Sequence, residues 1–114
     1  MENEIKDDEY IRTDIGKIDK VINANYYMPQ YIECEKNLIF KKDIVKHSPN
    51  LIDLIECGDY VNGYIVRRTY LDGETHYIKL GEQITGNRTY TDDIKSIVTK
   101  EMMESISYKV TKMW

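Results

Sequence analysis

A mainly β fold is predicted, a small partly open β barrel of the SH3-like kind with one or two short helical turns; a two-layer, β-rich α+β fold is the alternative. Three observations lead there. The apolar residues fall in about seven short runs punctuated by Gly, Asn, Asp and Pro rather than in long helical stripes. Asp72-Gly73 stands between two of those runs, the strongest short-range signal for a β-hairpin. The aromatic residues are ten Tyr with only Phe40 and Trp114 besides, a bias that suits half-exposed strands, where the ring packs and the hydroxyl stays wet. At 114 residues the chain has the length of a single domain, 1–114.

The elements follow in order. EYIRTDIGKIDKVI (Glu9 to Ile22) holds two β-like runs around Asp14-Ile15-Gly16, a tight hairpin in which Gly16 takes positive φ. Ile18 and Ile22 share one face of the second run and Val21 lies on the other. Asn23 to Gln30 is a loop, punctuated by Asn and Pro29. Tyr31 to Phe40 is a hairpin turning at Lys36-Asn37, with Ile32 and Cys34 on one face and Tyr31, Glu33 and Glu35 on the other.

In KKDIVKHSPNLIDLIE, Pro49 is a break. Asp43 is placed to cap a helical turn before Ile44-Val45-Lys46, and Asn50 another before Leu51. Leu51, Leu54 and Ile55 then form a short apolar stripe, laid across an open end of the barrel. Tyr60-Val61 begins a strand and Asn62-Gly63 makes a bend or bulge. YIVRRTYLDGETHYIKL (Tyr64 to Leu80) is a hairpin about Asp72-Gly73. In that register Leu71 faces Glu74, Tyr70 faces Thr75, Arg68 faces Tyr77 and Val66 faces Lys79. One face carries Tyr64, Arg68, Tyr70, Tyr77 and Lys79, and the other, with Ile65, Leu71, Ile78 and Leu80, is core. Gly81 to Asp93 is a polar loop of a length that suits binding. Ile97-Val98 is extended, Thr99 caps a turn over Lys100 to Glu104, and Ile106 to Val110 alternates as a closing strand.

Composition narrows the setting. No run approaches a membrane span, and MENEIKDDEY is acidic where a signal peptide is basic and then apolar, so a cytoplasmic protein without membrane contact is expected. Cys34 and Cys57 lack metal-ligand spacing and read as reduced thiols. Net charge is −4 with acids and bases interleaved, against a dedicated nucleic-acid module, which carries a basic face. His47 and His76 stand in no nucleophile motif and no glycine-rich loop cradles a phosphate. A non-enzymatic protein without a cofactor is expected.

Two blocks carry a resemblance: DIVKHSPNLIDLIECGDYVNGYIV (Asp43 to Val66) and IKSIVTKEMMESISYKV (Ile94 to Val110), with the EYIRT…GKI hairpin before them. Together they cover about half of the chain. They resemble a family of small, uncharacterised proteins encoded by phages and prophages of Gram-positive bacteria. Its members read N-[IL]-I-D-L-I-E-[VA]-G-D-Y-V-N-G and S-I-V-T-K-E-x-x-x-S-x-x-Y. The chain departs from that pattern at Cys57, where a small aliphatic residue is usual, and at Met102-Met103, where Gln-Phe is common. The resemblance brings no catalytic residues. It implies a setting in which short accessory genes make proteins that disable host defences, including anti-CRISPR inhibitors and proteins that sequester immune nucleotide signals.

In NLIDLIECGDYVNGYIV, Gly58, Asp59, Val61, Asn62 and Gly63 have turn, strand-start and bend duties and Leu51, Ile52, Leu54 and Ile55 core duties. This motif therefore reads as scaffold, and function is expected in the parts around it. The leading expectation is an anti-CRISPR-like inhibitor that binds a host defence protein, such as a CRISPR effector, at fixed stoichiometry. The alternative is a nucleotide or nucleic-acid binder. For either, the binding set is Tyr64, Arg68, Tyr70, Tyr77 and Lys79 on the hairpin face, with Arg88 and Tyr90 from the loop that follows; such Tyr/Arg surfaces stack bases or grip acidic partners. Barrel edges and the Met113-Trp114 end offer contacts either for a homodimer or for the protein's own core.

Overall fold

The computed structural model describes residues 4–81 and 88–106. The chain is mainly β. Among the described residues nine strands lie in two antiparallel sheets, one five-stranded in the order β4-β3-β2-β1-β5 and one four-stranded in the order β8-β7-β6-β9. The first sheet comprises β1 (Tyr10–Thr13), β2 (Ile18–Asn23), β3 (Tyr31–Cys34), β4 (Leu38–Phe40) and β5 (Ile44–Ser48). The second comprises β6 (Tyr60–Val61), β7 (Tyr64–Asp72), β8 (Thr75–Leu80) and β9 (Ile97–Val98), followed by one α-helix, α1 (Lys100–Ile106). No closed barrel forms among the described residues, and the arrangement fits the β-rich α+β alternative. The reason lies in the packing. Each sheet has its own apolar cluster, Ile11, Val21, Ala24, Ile32, Cys34 and Ile39 in one and Ile52, Ile55, Val61, Val66, Ile78 and Leu80 in the other. The sheets share no ladder; where they meet, Arg12 of β1 bonds Asp59, just before β6.

Both early hairpins form, but the second turns at Glu35-Lys36, one residue before the expected Lys36-Asn37, because Asn37 pairs with Cys34. Gly16 turns the first at φ +83°, and Val21, Ile32 and Cys34 point inward while Ile22 is exposed. The stretch after Phe40 differs. The helical turn is a 3-10 turn at Lys41–Asp43, and Ile44-Val45-Lys46, expected to be helical, belong to β5. Pairing with β1, Arg12 opposite Lys46 and Thr13 opposite Ile44, satisfies a backbone that β-branched Ile44 and Val45 already favour as strand. The second turn, Leu51–Leu54, forms where expected but as 3-10 helix. Its tighter period buries Ile52 with Leu54 and Ile55 and leaves Leu51 half-buried. It packs against β1, β5 and β8, so it joins the two sheets.

Two corrections concern the second sheet. Asn62-Gly63 is a hairpin turn, both residues at positive φ (53° and 86°) with Val61 opposite Tyr64, as a type I′ turn requires. In the longer hairpin Asp72 faces Thr75, so Gly73-Glu74 form the loop, one residue on from the expected turn. Gly73 is at φ +65° and Glu74 is not in the left-handed region, the type II′ pattern that wants Gly first. Tyr70 therefore faces Tyr77, Leu71 faces His76 and Arg68 faces Lys79. A bulge between Val66 and Arg68 then switches the faces along β7. Val66, Ile78 and Leu80 are core, but Leu71 is 64% exposed and Ile65 37%. Ile106 ends α1 instead of opening a strand; Ser107 to Val110 and Met113-Trp114 lie outside the described residues. No helix among the described residues is long and apolar enough to cross a membrane.

Candidate functional site

The hairpin β7–β8 builds an exposed aromatic and cationic face. Because Tyr70 and Tyr77 are directly opposed, their rings stack, centroids 4.9 Å apart and 13° between planes. Ile78 points into the core, and Thr89 bonds to it in both directions: Ile78 N–H to the Thr89 carbonyl at 2.9 Å and Thr89 N–H to the Ile78 carbonyl at 3.0 Å. Thr89 is buried beside it. Strand alternation then turns its neighbours Arg88 and Tyr90 to the face of Tyr77. The Arg88 guanidinium carbon lies 4.3 Å over the Tyr77 ring, and the Tyr90 ring is 6.1 Å from it. Arg88 also hydrogen-bonds the Tyr90 side chain, a contact that raises the Arg88 pKa. Asp72, 3.5 Å from Arg88, is too exposed to add much. The Asp93 carboxylate accepts the Tyr90 N–H at 3.0 Å and anchors the segment.

Six of the seven expected binding residues share this surface. Tyr70, Tyr77, Tyr90 and Arg88 are in contact, and Arg68 and Lys79 form a cationic step beside them on the same face. Tyr64 does not join: it precedes the bulge, so it lies on the Val66 side of β7, opposite Val61.

A second polar cluster sits where the sheets meet, and it gathers residues from all three sequence blocks. Arg12, 1% exposed, donates from Nη1 and Nη2 to the two carboxylate oxygens of Asp59 (2.5 and 2.9 Å), which is 0% exposed. It also donates to the Leu54 carbonyl at 2.9 Å and to Glu101 at 2.6 Å. Asp59 further accepts the backbone N–H of Glu56 at 2.7 Å and of Lys100 at 2.9 Å. Around this pair Glu56 bridges Lys46 at 3.1 Å and Lys100 at 2.8 Å. Burial alone would lower the Arg12 pKa; the hydrogen bonds to Asp59 and Glu101 outweigh it and raise it. Glu56 is brought down to about 2, above all by its hydrogen bond with Lys100. With every member of the pair already bonded to protein, the cluster is a lock between sheets rather than a ligand site.

Asn62 has a matching duty: its side chain accepts the N–H groups of Lys95 (2.7 Å) and Ser96 (3.1 Å) and donates to the Asp93 carbonyl (2.8 Å), which sets up β9. No protein-family model, curated protein or solved structure matches this chain.

Sequence reasoning missed the Arg12 lock and one further triplet. Asp53 sits between Ser48, whose hydroxyl donates to it at 2.5 Å, and His76, whose Nδ1 meets its other oxygen. In nucleophilic triads the imidazole stands between hydroxyl and carboxylate and takes the hydroxyl proton. Here the carboxylate is in the middle, so the imidazole does not meet the Ser48 hydroxyl and the order differs from that of such triads. The one available signal for the lock was an arginine inside a β-like run, YIRT. Both sides of β1 are buried, Ile11 in the first core and Arg12 at the seam.

Proposed function

We propose that this protein works by stoichiometric binding to a partner protein, without chemistry, through the face formed by Tyr70, Tyr77, Tyr90 and Arg88. The observation that carries the reading is the preassembled contact of three tyrosines and a guanidinium on an exposed hairpin. Tyr and Arg dominate binding hot spots, and a cluster already held by cross-strand stacking loses little side-chain entropy on docking. Arg68, Lys79 and Arg88 make this face locally cationic on an acidic chain, which favours an acidic surface on the partner. The resemblance to phage-encoded accessory proteins supports a host antiviral defence component, such as a CRISPR effector, as that partner, with inhibition as the outcome. The nucleotide reading has weaker support, because the Tyr77 ring is already covered by Tyr70 and Arg88 and a base would have to displace one of them.

The test is native mass spectrometry of tagged protein isolated gently from phage-host cells with active defences, alongside Arg88→Ala and Tyr70→Ala variants whose fold is checked by circular dichroism. One host protein at fixed stoichiometry, lost or weakened by about 30-fold in the folded variants, is the expected result. A bound mass the size of a nucleotide would transfer the face to the second reading. A bare wild-type chain would overturn both.

A further inference from the structure

The outer edge of the first sheet has a composition unlike the rest of the chain. β4 is the terminal strand of that sheet, and KNLIFKK, from Lys36 to Lys42, contains three lysines and no acid on a chain of net charge −4. Leu38 is 44% and Phe40 39% exposed, and Lys36, Lys41 and Lys42 are exposed beside them. Lys42 lies 5.3 Å over the Phe40 ring. None of the three ammonium groups is in an ion pair among the described residues. Tyr31 packs 4.3 Å from Phe40 and continues the apolar face inward from the edge.

The hydrogen bonds show which backbone groups are open. Cys34 N–H donates to the Asn37 carbonyl and Lys41 N–H to the Gln30 carbonyl, both at 2.9 Å, and in the same register Ile39 faces Ile32. Bonded and non-bonded pairs alternate in an antiparallel ladder. Ile39 therefore turns its N–H and C=O toward β3, while the N–H and C=O of Leu38 and the N–H of Phe40 point away from the sheet.

A second copy fits this edge poorly. Antiparallel pairing of two β4 strands about Ile39 brings Lys36 of one chain toward Lys42 of the other, and like charges facing across strands are destabilising. Edge lysines commonly guard against such self-pairing. The same lysines favour a strand of opposite sign. The geometry points to the β4 edge as a docking site for an extended segment of a partner protein. Two apolar residues at alternate positions would meet Leu38 and Phe40, and flanking Asp or Glu residues would meet Lys36 and Lys42. The segment joins the sheet through the outward groups of Leu38 and Phe40, as in strand addition generally. Among the described residues four acids lie near this edge. Glu35 is in the turn before Lys36, and Asp19, which is buried, accepts the Lys36 N–H at 3.2 Å and the Asn37 amide at 3.4 Å. Glu33 is opposite Leu38 on β3 and so one strand further from the added segment, and Asp43 is at the end of the turn that follows. The lysines at the Lys41-Lys42 end are therefore the less screened ones. This surface is on a different sheet from Tyr77 and stands whether or not that face binds.

The probe is a fluorescent peptide, Glu-Ser-Val-Thr-Phe-Ser-Glu, read by anisotropy against the full chain, with a version carrying Lys at both ends and a version N-methylated at alternate backbone positions. The acidic peptide should bind, slow amide exchange at Leu38 and Phe40, and weaken by about tenfold or more on N-methylation. A Lys36→Glu, Lys42→Glu variant should lose the acidic peptide and take the lysine peptide instead. No saturable binding of the acidic peptide, equal binding of both peptides, or binding without protection at Leu38 and Phe40 would overturn the proposal and leave the lysines as guards alone.

Discussion

Replacing Asp59 with Asn should cost most of what holds the two sheets together. The carboxylate is 0% exposed and accepts four hydrogen bonds, from both Arg12 Nη atoms and from the N–H groups of Glu56 and Lys100. Asp59→Asn keeps one acceptor oxygen but turns an NH2 group toward these donors. Arg12, 1% exposed, is left with the Leu54 carbonyl and Glu101, whose side chain is 30% exposed. Breaking a buried pair from one side costs about 3–5 kcal/mol, against a total of about 5–15 kcal/mol for a folded domain. With a denaturant slope of about 1–3 kcal/mol per molar, the urea midpoint should fall by about 2 M. Urea titrations followed by circular dichroism would read it. Adding Arg12→Met to Asp59→Asn removes the stranded charge, so the double variant should be more stable than Asp59→Asn alone, with a coupling of about 1–3 kcal/mol. A loss below about 1 kcal/mol in Asp59→Asn, at unchanged slope, would refute the view that this pair locks the sheets.

Three further outcomes follow from the same geometry. Glu56 titrates at about 2 instead of its ordinary 4.5, held down by Lys100 and then Lys46; its contribution is complete above the unfolded value and lost as pH falls toward 2, so Glu56→Gln should flatten the urea midpoint against pH in that window. Cys57 is exposed, whereas burial pushes the Cys34 thiol up to about 12, so a thiol reagent at pH 8 should label one cysteine in the native protein and both in urea, with native labelling abolished by Cys57→Ser. At Gly16, a Cβ would collide with the Thr99 hydroxyl and the Glu101 side chain at φ +83°, while at Gly73 nothing lies within 4 Å. Gly16→Ala should therefore lower thermal stability clearly more than Gly73→Ala, which carries only the backbone cost of about 1 kcal/mol.

Local chemistry made much of the fold legible. Gly16, Asn62-Gly63 and Gly73 mark turns because only certain residues take positive φ there, and Thr99 caps α1 through the Met102 N–H at 3.3 Å as its position suggests. What the sequence concealed was set by contacts between distant segments. Ile44-Val45-Lys46 became strand because β1 offered a partner, and the faces of β7 switched at a bulge that no local residue announces. Ile65 was assigned to the core by strict alternation, which the bulge breaks; Leu71 keeps the Ile78 face, opposite His76, but lies near the hairpin tip, beyond the core. The Tyr70–Tyr77 pairing depended on a turn displaced by one residue, yet both registers keep these residues on one face, so the candidate surface was legible even where its partners were not. Arg12 was invisible as a lock, since its partners Asp59 and Glu101 lie 47 and 89 residues away.

That separation also decides how loss of function should be interpreted. Three distant segments supply Arg12 from the first hairpin, Asp59 from IECGDY, and Lys100 and Glu101 from IVTKE, all to one seam. A change there alters the docking of sheets and with it every surface the sheets present. Loss of a partner in Asp59→Asn is therefore uninformative about where that partner binds. Arg88, exposed on Tyr77, and Lys36 and Lys42, exposed on the β4 edge, take no part in the seam. Substitutions at these positions should leave the unfolding free energy within about 0.5 kcal/mol of the unaltered chain, the usual range for surface changes. A partner lost from Arg88→Ala but kept by the Lys36 and Lys42 reversal assigns that partner to the tyrosine face, the opposite pattern assigns it to the strand edge, and loss from both describes one partner that spans the two sheets.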